Sequence, residues 1–386
     1  MTEIRSGDDA LAAPPPEVPF ENAHDRATWI EATRRIAAVA GADISGEPGW
    51  MSWREGDSGR GGQRYFIPRD TLLVEEAHRL GITSDSQFFG GAVPSHFIAT
   101  KAISHPLVSP EARAPEGWNP ALAALIEEAV LRGYTAFTVA DAAQAGRLML
   151  EYGPARLKEV EATSGQGQTV VTSERELEDV LAAIDPARIE TGGVVIEENL
   201  EQVETYSVGT VTLPAPGGRG FRSLAYWGTQ QLTRNNQGDV AYGGSRLHVV
   251  RGGFAELGNQ LLSHDRAEAV MKARLYDSAV FAAWPALFAS RRNYDVAEGI
   301  DAQGRKRIGV LEQSWRIGGA TGAEIAAFEY LEAHPDRHEV TTATVEIYGD
   351  ADGDANAYAA PPGAAVYFSG VDPVAGPLTK YAAIFE

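Results

Sequence analysis

One stretch constrains this chain more than any other: residues 291–321, R-R-N-Y-D-V-A-E-G-I-D-A-Q-G-R-K-R-I-G-V-L-E-Q-S-W-R-I-G-G-A-T. Residues 293–296 read as the end of a strand carrying Asp295. Residues 299–306 read as a turn, with Asp301 and Gly304 supplying the turn chemistry. Residues 307–312 are a short apolar run of strand character. The predicted hairpin sets Asp295 beside Glu312. Side chains alternate between the faces of an extended chain, so Ser314 and Arg316 share the side of Glu312. Two carboxylates and a hydroxyl are hard oxygen donors of the kind that hold Mg2+ together with phosphate and water. A guanidinium beside them can hold a phosphate or a developing negative charge. The same spacing also describes a solvated hairpin with scattered charges, because surface acids are common.

Composition bounds the rest. A chain of 386 residues is too long for one small core, so two or three subdomains are expected. A formal net charge of -20 argues against nucleic acid or an anionic membrane as a partner. It leaves room for an anionic ligand, since a few lysines, arginines and a Mg2+ ion can dominate one cleft. There is no cysteine, hence no thiol chemistry and no cysteine-based zinc site. Residues 1–21 lack the basic start and apolar run of a signal peptide, and no window approaches the ~18 apolar residues of a membrane span, so a cytoplasmic location is expected. Residues 13–19 are proline-rich, and residues 1–22 read as a flexible tail.

Further along, helix signals at 25–41 and 71–80 flank a Gly-rich loop at 53–63 and a strand at 64–68, which suggests a small α/β unit over 23–95. His96 and His105 have no third ligand in sequence and read as structural. Residues 120–133 read as an amphipathic helix, and Thr138 with Asp141 opens another. Then come a strand at 156–160 bearing Lys158, a small-residue loop at 162–167, and a strand at 168–171. Such a hairpin can fold a flap whose backbone N–H groups close over phosphates, or be a plain turn. It is not a P-loop, because the lysine precedes the glycines and a strand follows them. Ser173 caps the next helix, and strands follow at 194–203 and 204–212. Residues 226–251 read as a polar, aromatic and basic loop, in which Arg234, Arg246 and Arg251 either bind a substrate carboxylate or face water. Helices are expected at 266–288 and 323–333, and residues 335–386 read as β-rich. Asp350, Asp352 and Asp354 lack the twelfth-position Glu of a calcium loop and read as a solvated turn.

Taken in order, four pieces resemble the ATP-grasp superfamily over about residues 95–330. They are Thr100-Lys101; R-L-K-E-V-E-A-T-S-G-Q-G-Q-T-V-V; V-V-I-E-E-N-L with E-T-Y-S-V; and N-Y-D-V with V-L-E-Q-S-W-R-I-G-G-A-T. Each is a weak signal alone, but four in order multiply. The full length is also similar to a bacterial family of ATP-grasp-like proteins with no assigned reaction. The resemblance implies an α+β fold with two α+β lobes around a nucleotide cleft. The flap lobe would span 96–200 and the metal and substrate lobe 201–334, with the α/β unit before them and a β-rich extension, 335–386, after. That extension would pack on the lobes or mediate homo-oligomerisation. By resemblance, ATP would be held by Lys101, Lys158, Ser164, Gly165, Gly167, Glu197, Glu198, Leu200 and Glu204. Mg2+, with Mn2+ as an alternative, would sit on Asp295, Glu312 and Ser314, and Lys158 and Arg316 would be catalytic. Ser314 stands where the family usually has Asn; a hydroxyl can still ligate Mg2+. The implied partners are a small-molecule carboxylate and a nucleophile. The implied reaction makes an acylphosphate for attack by an amine or thiol. The alternatives are a small-molecule kinase and a non-catalytic nucleotide-binding protein.

Overall fold

Caps and tight turns fix most element ends in the computed structural model, which describes residues 20, 22–45, 49–53, 64–161, 167–260, 263–349 and 359–385. The Ala23–Ala40 helix starts where the Asn22 side chain accepts the Asp25 N–H at 2.9 Å. It stops at Gly41, which turns left-handed at φ 60°. Thr138 opens the Val139–Leu150 helix: its hydroxyl oxygen accepts from the Asp141 N–H at 3.0 Å, and its proton goes to the Asp141 carboxylate at 2.7 Å. Thr138→Ala is expected to cost about 1 kcal/mol. The measurement is the urea midpoint at constant slope; an unmoved midpoint would mean that this cap carries no stability.

Two antiparallel sheets dominate. The smaller has the order Gly133–Ala136, Val194–Glu198, Ala155–Glu159, Gln168–Val171. The Val139–Leu150 and Glu174–Ala183 helices bury Ala142, Met149, Leu177 and Leu181 against its Leu157 and Ile196. The larger has eight strands: Lys306–Ser314, Arg291–Ile300, Glu201–Pro214, Phe221–Arg234, Val240–Arg251, Glu339–Tyr348, Gly376–Phe385 and Ala365–Asp372. One face of it buries Tyr206, Trp227, Tyr294 and Val296 under the His264–Ala283 helix. The opposite face buries Val211, Tyr226, Leu247 and Val249 under the Ala23–Ala40 and Thr321–Ala333 helices. The whole is a mixed α/β fold. Among the described residues no helix is long and apolar enough to cross a membrane.

Three expectations change. Residues 226–251 are not a loop but parts of two long strands, because Tyr226 and Trp227 are both buried, on opposite faces. A strand covered on both sides loses the polar–apolar alternation that marks a strand in sequence. Residues 339–385 continue the larger sheet: Glu339–Tyr348 pairs directly with Val240–Arg251 and carries the last two strands with it. The helix expected over 120–133 is confined to Leu122–Ile126. Beyond it the backbone is recruited by the large sheet: the Val310 N–H donates to Ala129 at 2.8 Å and Val130 bridges Val310. Finally, Leu72–Leu73 pairs in parallel with Gly91–Val93 before the Val74–Arg79 helix begins. Asp350, Asp352 and Asp354 lie outside the described residues.

The two sheets meet along residues 96–105. Two short 3-10 turns, His96–Ala99 and Lys101–Ser104, run beside the edge strand Lys306–Ser314. Gln313 Nε2 donates to Ile98 at 2.8 Å and Thr100 at 2.6 Å, and the Ser104 hydroxyl donates to Leu311 at 3.2 Å. On the other side the Thr135 hydroxyl of the small sheet donates to Ala102 at 2.7 Å. The edge that a free strand would expose is therefore covered.

Candidate active site

The acidic hairpin forms as its turn chemistry dictates. The Asp301 carboxylate accepts the Gln303 and Arg305 N–H groups, both at 2.9 Å, and Gly304 supplies φ 75°. Asp295 and Glu312 are register partners, but only because of a bulge at Leu311. Extending the Val296–Val310 pairing without it would set Glu312 opposite Tyr294, on the face that packs against the His264–Ala283 helix. The bulge thus turns Glu312 onto the face of Asp295. Ser314, partner of Asn293, follows on that face. Burial and the nearby Glu312 charge raise the Asp295 pKa to about 6, against hydrogen bonds from Gln230 and Asn293 that lower it. A carboxylate pair in that condition is relieved by a cation.

Cations come from the junction. The Lys101 ammonium lies 3.1 Å from Glu312. Four residues on, His105 Nε2 lies 3.1 Å from Glu197, whose other oxygen is paired with Lys158. These groups are buried: 6% of Lys101, 4% of Lys158 and 2% of Glu197 is exposed. Burial alone would raise the Glu197 pKa, but the Lys158 ammonium and His105 hold it down to about 2. That depressed value adds stability above the ordinary glutamate pKa of 4.5, and the contribution disappears as pH falls toward 2. Lys158→Met is expected to flatten this acid limb when urea midpoints are compared across that window. Parallel loss in both proteins would show that Lys158 is not what keeps Glu197 ionised.

The neighbouring residues do different work. Glu198 accepts from the Arg132 N–H at 3.0 Å and from Arg307 Nε at 3.2 Å, so it ties the Val194–Glu198 strand to the Lys306–Ser314 strand. Leu200 is buried with Leu131 and Ala297 where the sheets abut. Glu204 pairs with Glu298, and both accept from the Tyr206 hydroxyl at 2.9 Å. Ser207, three residues on, is the partner of Asp295, so Glu204 points to the opposite face from the acid pair. Beside the paired strands Ala155–Glu159 and Gln168–Val171, Gly167 is left-handed at φ 61° and its carbonyl accepts the Glu159 N–H at 2.9 Å. Ser164 and Gly165 lie outside the described residues.

A model of the family DUF3182, described as a protein of unknown function, matches residues 16–382. The chain belongs to this family. No curated protein matches it. Among solved structures this DUF3182 chain is similar to carboxyaminoimidazole ribonucleotide synthase of Aspergillus clavatus complexed with ATP, at 15% identity and TM-score 0.40, over 68% of this chain and 67% of that one. It is also similar to biotin carboxylase of Campylobacter jejuni, at 12% and 0.44, over 81% and 68%. A third is phosphoribosylamine–glycine ligase of Thermotoga maritima, at 14% and 0.44, over 83% and 80%. These neighbours are ATP-grasp proteins, the superfamily that the four motifs resemble. At such scores they decide nothing about chemistry, and the functional case stands on the DUF3182 chain's own residues.

The DUF3182 strand ends at Ser314, so side-chain alternation does not carry on to Arg316. The Arg316 guanidinium instead lies 3.5 Å from Asp70 and donates to the Ile317 carbonyl at 3.1 Å. The three candidate substrate arginines are not gathered. Arg234 donates to Gly238 at 2.6 Å at a hairpin tip, and Arg246 stacks over Phe385 with 4.6 Å to the ring centre. Arg251 donates to the Arg337 carbonyl at 2.8 Å and to the Leu331 carbonyl at the end of the Thr321–Ala333 helix. Arg251 therefore satisfies carbonyls at the C-terminal end of that helix. Sequence reasoning missed Ser207, Gln230 and Asn293, which surround Asp295, and the buried Arg291–Glu324 pair at 2.8 Å behind them. Arg291 and Asn293, near Asp295 in an already suspect stretch, and Ser207, within the quoted E-T-Y-S-V, carried a usable signal. Among the described residues no three His, Asp or Glu side chains gather as a metal cluster. Mg2+ needs fewer, since it commonly takes one or two carboxylates and completes its shell with phosphate and water.

Proposed function

We propose that this chain binds ATP with Mg2+ at the junction of the two sheets and activates a carboxylate as an acylphosphate for attack by an amine or thiol. The observation that carries this reading is the bridging segment. It sets Lys101 against Glu312 and His105 against Glu197, the partner of Lys158. Two buried ammoniums thus flank one junction, each balanced by a carboxylate. An incoming triphosphate can take over Lys101 while a divalent cation takes over Glu312, and every buried charge stays paired. A ligand that brings both charges together meets this requirement.

Asp295 and Glu312 would hold the cation, with the Ser314 hydroxyl beside them. Mg2+ bound there supplies Lewis-acid neutralisation at the phosphate oxygens. Lys101 and Lys158 add point charges to the phosphates. A carboxylate oxygen bonds to the γ-phosphorus as the bridging P–O bond breaks and ADP leaves; the amine or thiol then attacks the acyl carbon and inorganic phosphate leaves. The 155–171 hairpin is the element suited to exclude water, which an acylphosphate requires. The Arg316–Asp70 contact is exposed, and such pairs are worth only ~0–1 kcal/mol, so the guanidinium is free to exchange onto a transferring phosphoryl group.

The test is Mg2+-dependent ADP release across a panel of carboxylates, each with and without amines and thiols. Release only when both substrates are present supports the ligase. A stable phosphorylated product makes the protein a kinase, and ATP binding without release makes it a nucleotide-binding protein. Failure to bind ATP with Mg2+ would end all three readings.

A further inference from the structure

Asp295 is not positioned by its hairpin alone. Its carboxylate accepts from Asn293 Nδ2 at 3.0 Å, and Asn293 Oδ1 accepts from the Tyr226 hydroxyl at 3.0 Å. That hydroxyl also lies 2.6 Å from Glu324 Oε1. Glu324 in turn is gripped by Arg291, through Nε at 2.9 and 3.1 Å and Nη2 at 2.8 Å. All four are withdrawn from water: 6% of Asn293, 0% of Tyr226, 1% of Glu324 and 1% of Arg291 is exposed.

A phenol has one proton and here two acceptors. That proton is shared between the Glu324 carboxylate at 2.6 Å and Asn293 Oδ1 at 3.0 Å, in a three-centred bond. With its oxygen so engaged, the amide must present Nδ2 to Asp295; the reverse orientation would set two acceptor oxygens against each other. The route between Tyr226 and Asn293 crosses the Glu201–Pro214 strand at Gly209, the register partner of both. A Cβ at Gly209 would lie 2.4 Å from the Tyr226 oxygen. The middle strand therefore lacks a side chain at the place where the phenol passes.

We propose that Tyr226 and Asn293 are positioning residues for a divalent cation at the Asp295–Glu312 pair: they hold one Asp295 oxygen and so fix the carboxylate that would share the cation with Glu312. This rests on the reading above, that the acid pair takes a cation. The relay lies within a packed core, so it is a fixed support and not a moving part.

Mn2+ serves as the probe on the full chain, with bound and free ion distinguished by electron paramagnetic resonance and ATP binding without metal measured by calorimetry. Tyr226→Phe is expected to weaken Mn2+ binding about 10-fold, with metal-free ATP affinity changed less than about 2-fold. Asn293→Ala removes the Nδ2 donor to Asp295 itself without touching the Arg291–Glu324 pair and must show the same selective loss, which keeps the test decisive if Tyr226→Phe does not fold. Unchanged Mn2+ affinity in the variants overturns the proposal. So does a parallel loss of metal-free ATP binding, which would mean general damage. A wild type that binds ATP but no Mn2+ overturns the metal reading and the proposal with it.

Discussion

Arg291→Ala is expected to destabilise the protein by about 3–5 kcal/mol, because it leaves the Glu324 carboxylate buried without its cation. Both side chains are 1% exposed and are joined at 2.8 Å, so the remaining charge has no route to water without opening the core. Arg291 also donates to the Ser314 carbonyl at 3.2 Å and to the Arg316 carbonyl at 2.6 Å, so the turn after the acidic hairpin loses its anchor as well. The double replacement Arg291→Met with Glu324→Leu is expected to recover much of the loss, since apolar groups of similar size remove the charge on both sides. Urea unfolding of the four proteins in the cycle checks this. If the two single losses simply add in the double variant, the pair is not acting as a unit and the explanation fails.

Glu312→Gln is expected to lower Mg2+-dependent ADP formation by about 10^3-fold, equivalent to roughly 4 kcal/mol of transition-state stabilisation. The amide keeps the shape and can still accept from Lys101, so the urea midpoint should move by less than the equivalent of about 1 kcal/mol. Glu312→Ala is expected to lose activity to the same extent and stability as well, because Lys101 is 6% exposed and would lose an oxygen acceptor 3.1 Å away. Wild-type turnover in either variant would remove Glu312 from the catalytic machinery. The two variants separate the tasks of this one carboxylate, which balances a buried lysine and faces Asp295.

The acidic hairpin shows how far local chemistry reaches. Its two strands and its Asp-Gly turn could be read directly, because turn residues and alternation are properties of neighbours in the chain. That Asp295 and Glu312 meet depends on the bulge at Leu311, and no residue type there announces it. Arg316 shows the limit of counting by twos, since the count holds only while the strand lasts and the strand stops at Ser314. The arginines of residues 226–251 misled for a different reason. Their segment is strand buried on both faces in places, as at Tyr226 to Gly228, while Leu232, Val240, Arg246 and His248 are exposed, so polar residues scattered among aromatics looked like a loop.

The sequence by itself determined the helix caps at Thr138 and Ser173, the hairpin that carries Lys158, the acidic hairpin, and the order of lysines and acids along the chain. Each follows from interactions between residues a few positions apart. Only the tertiary structure decided which charges pair: Lys158 with Glu197, Lys101 with Glu312, and Arg291 with Glu324. Those partners lie far apart in sequence, and a buried charge chooses among carboxylates by desolvation and distance, which exist only once the sheets have packed.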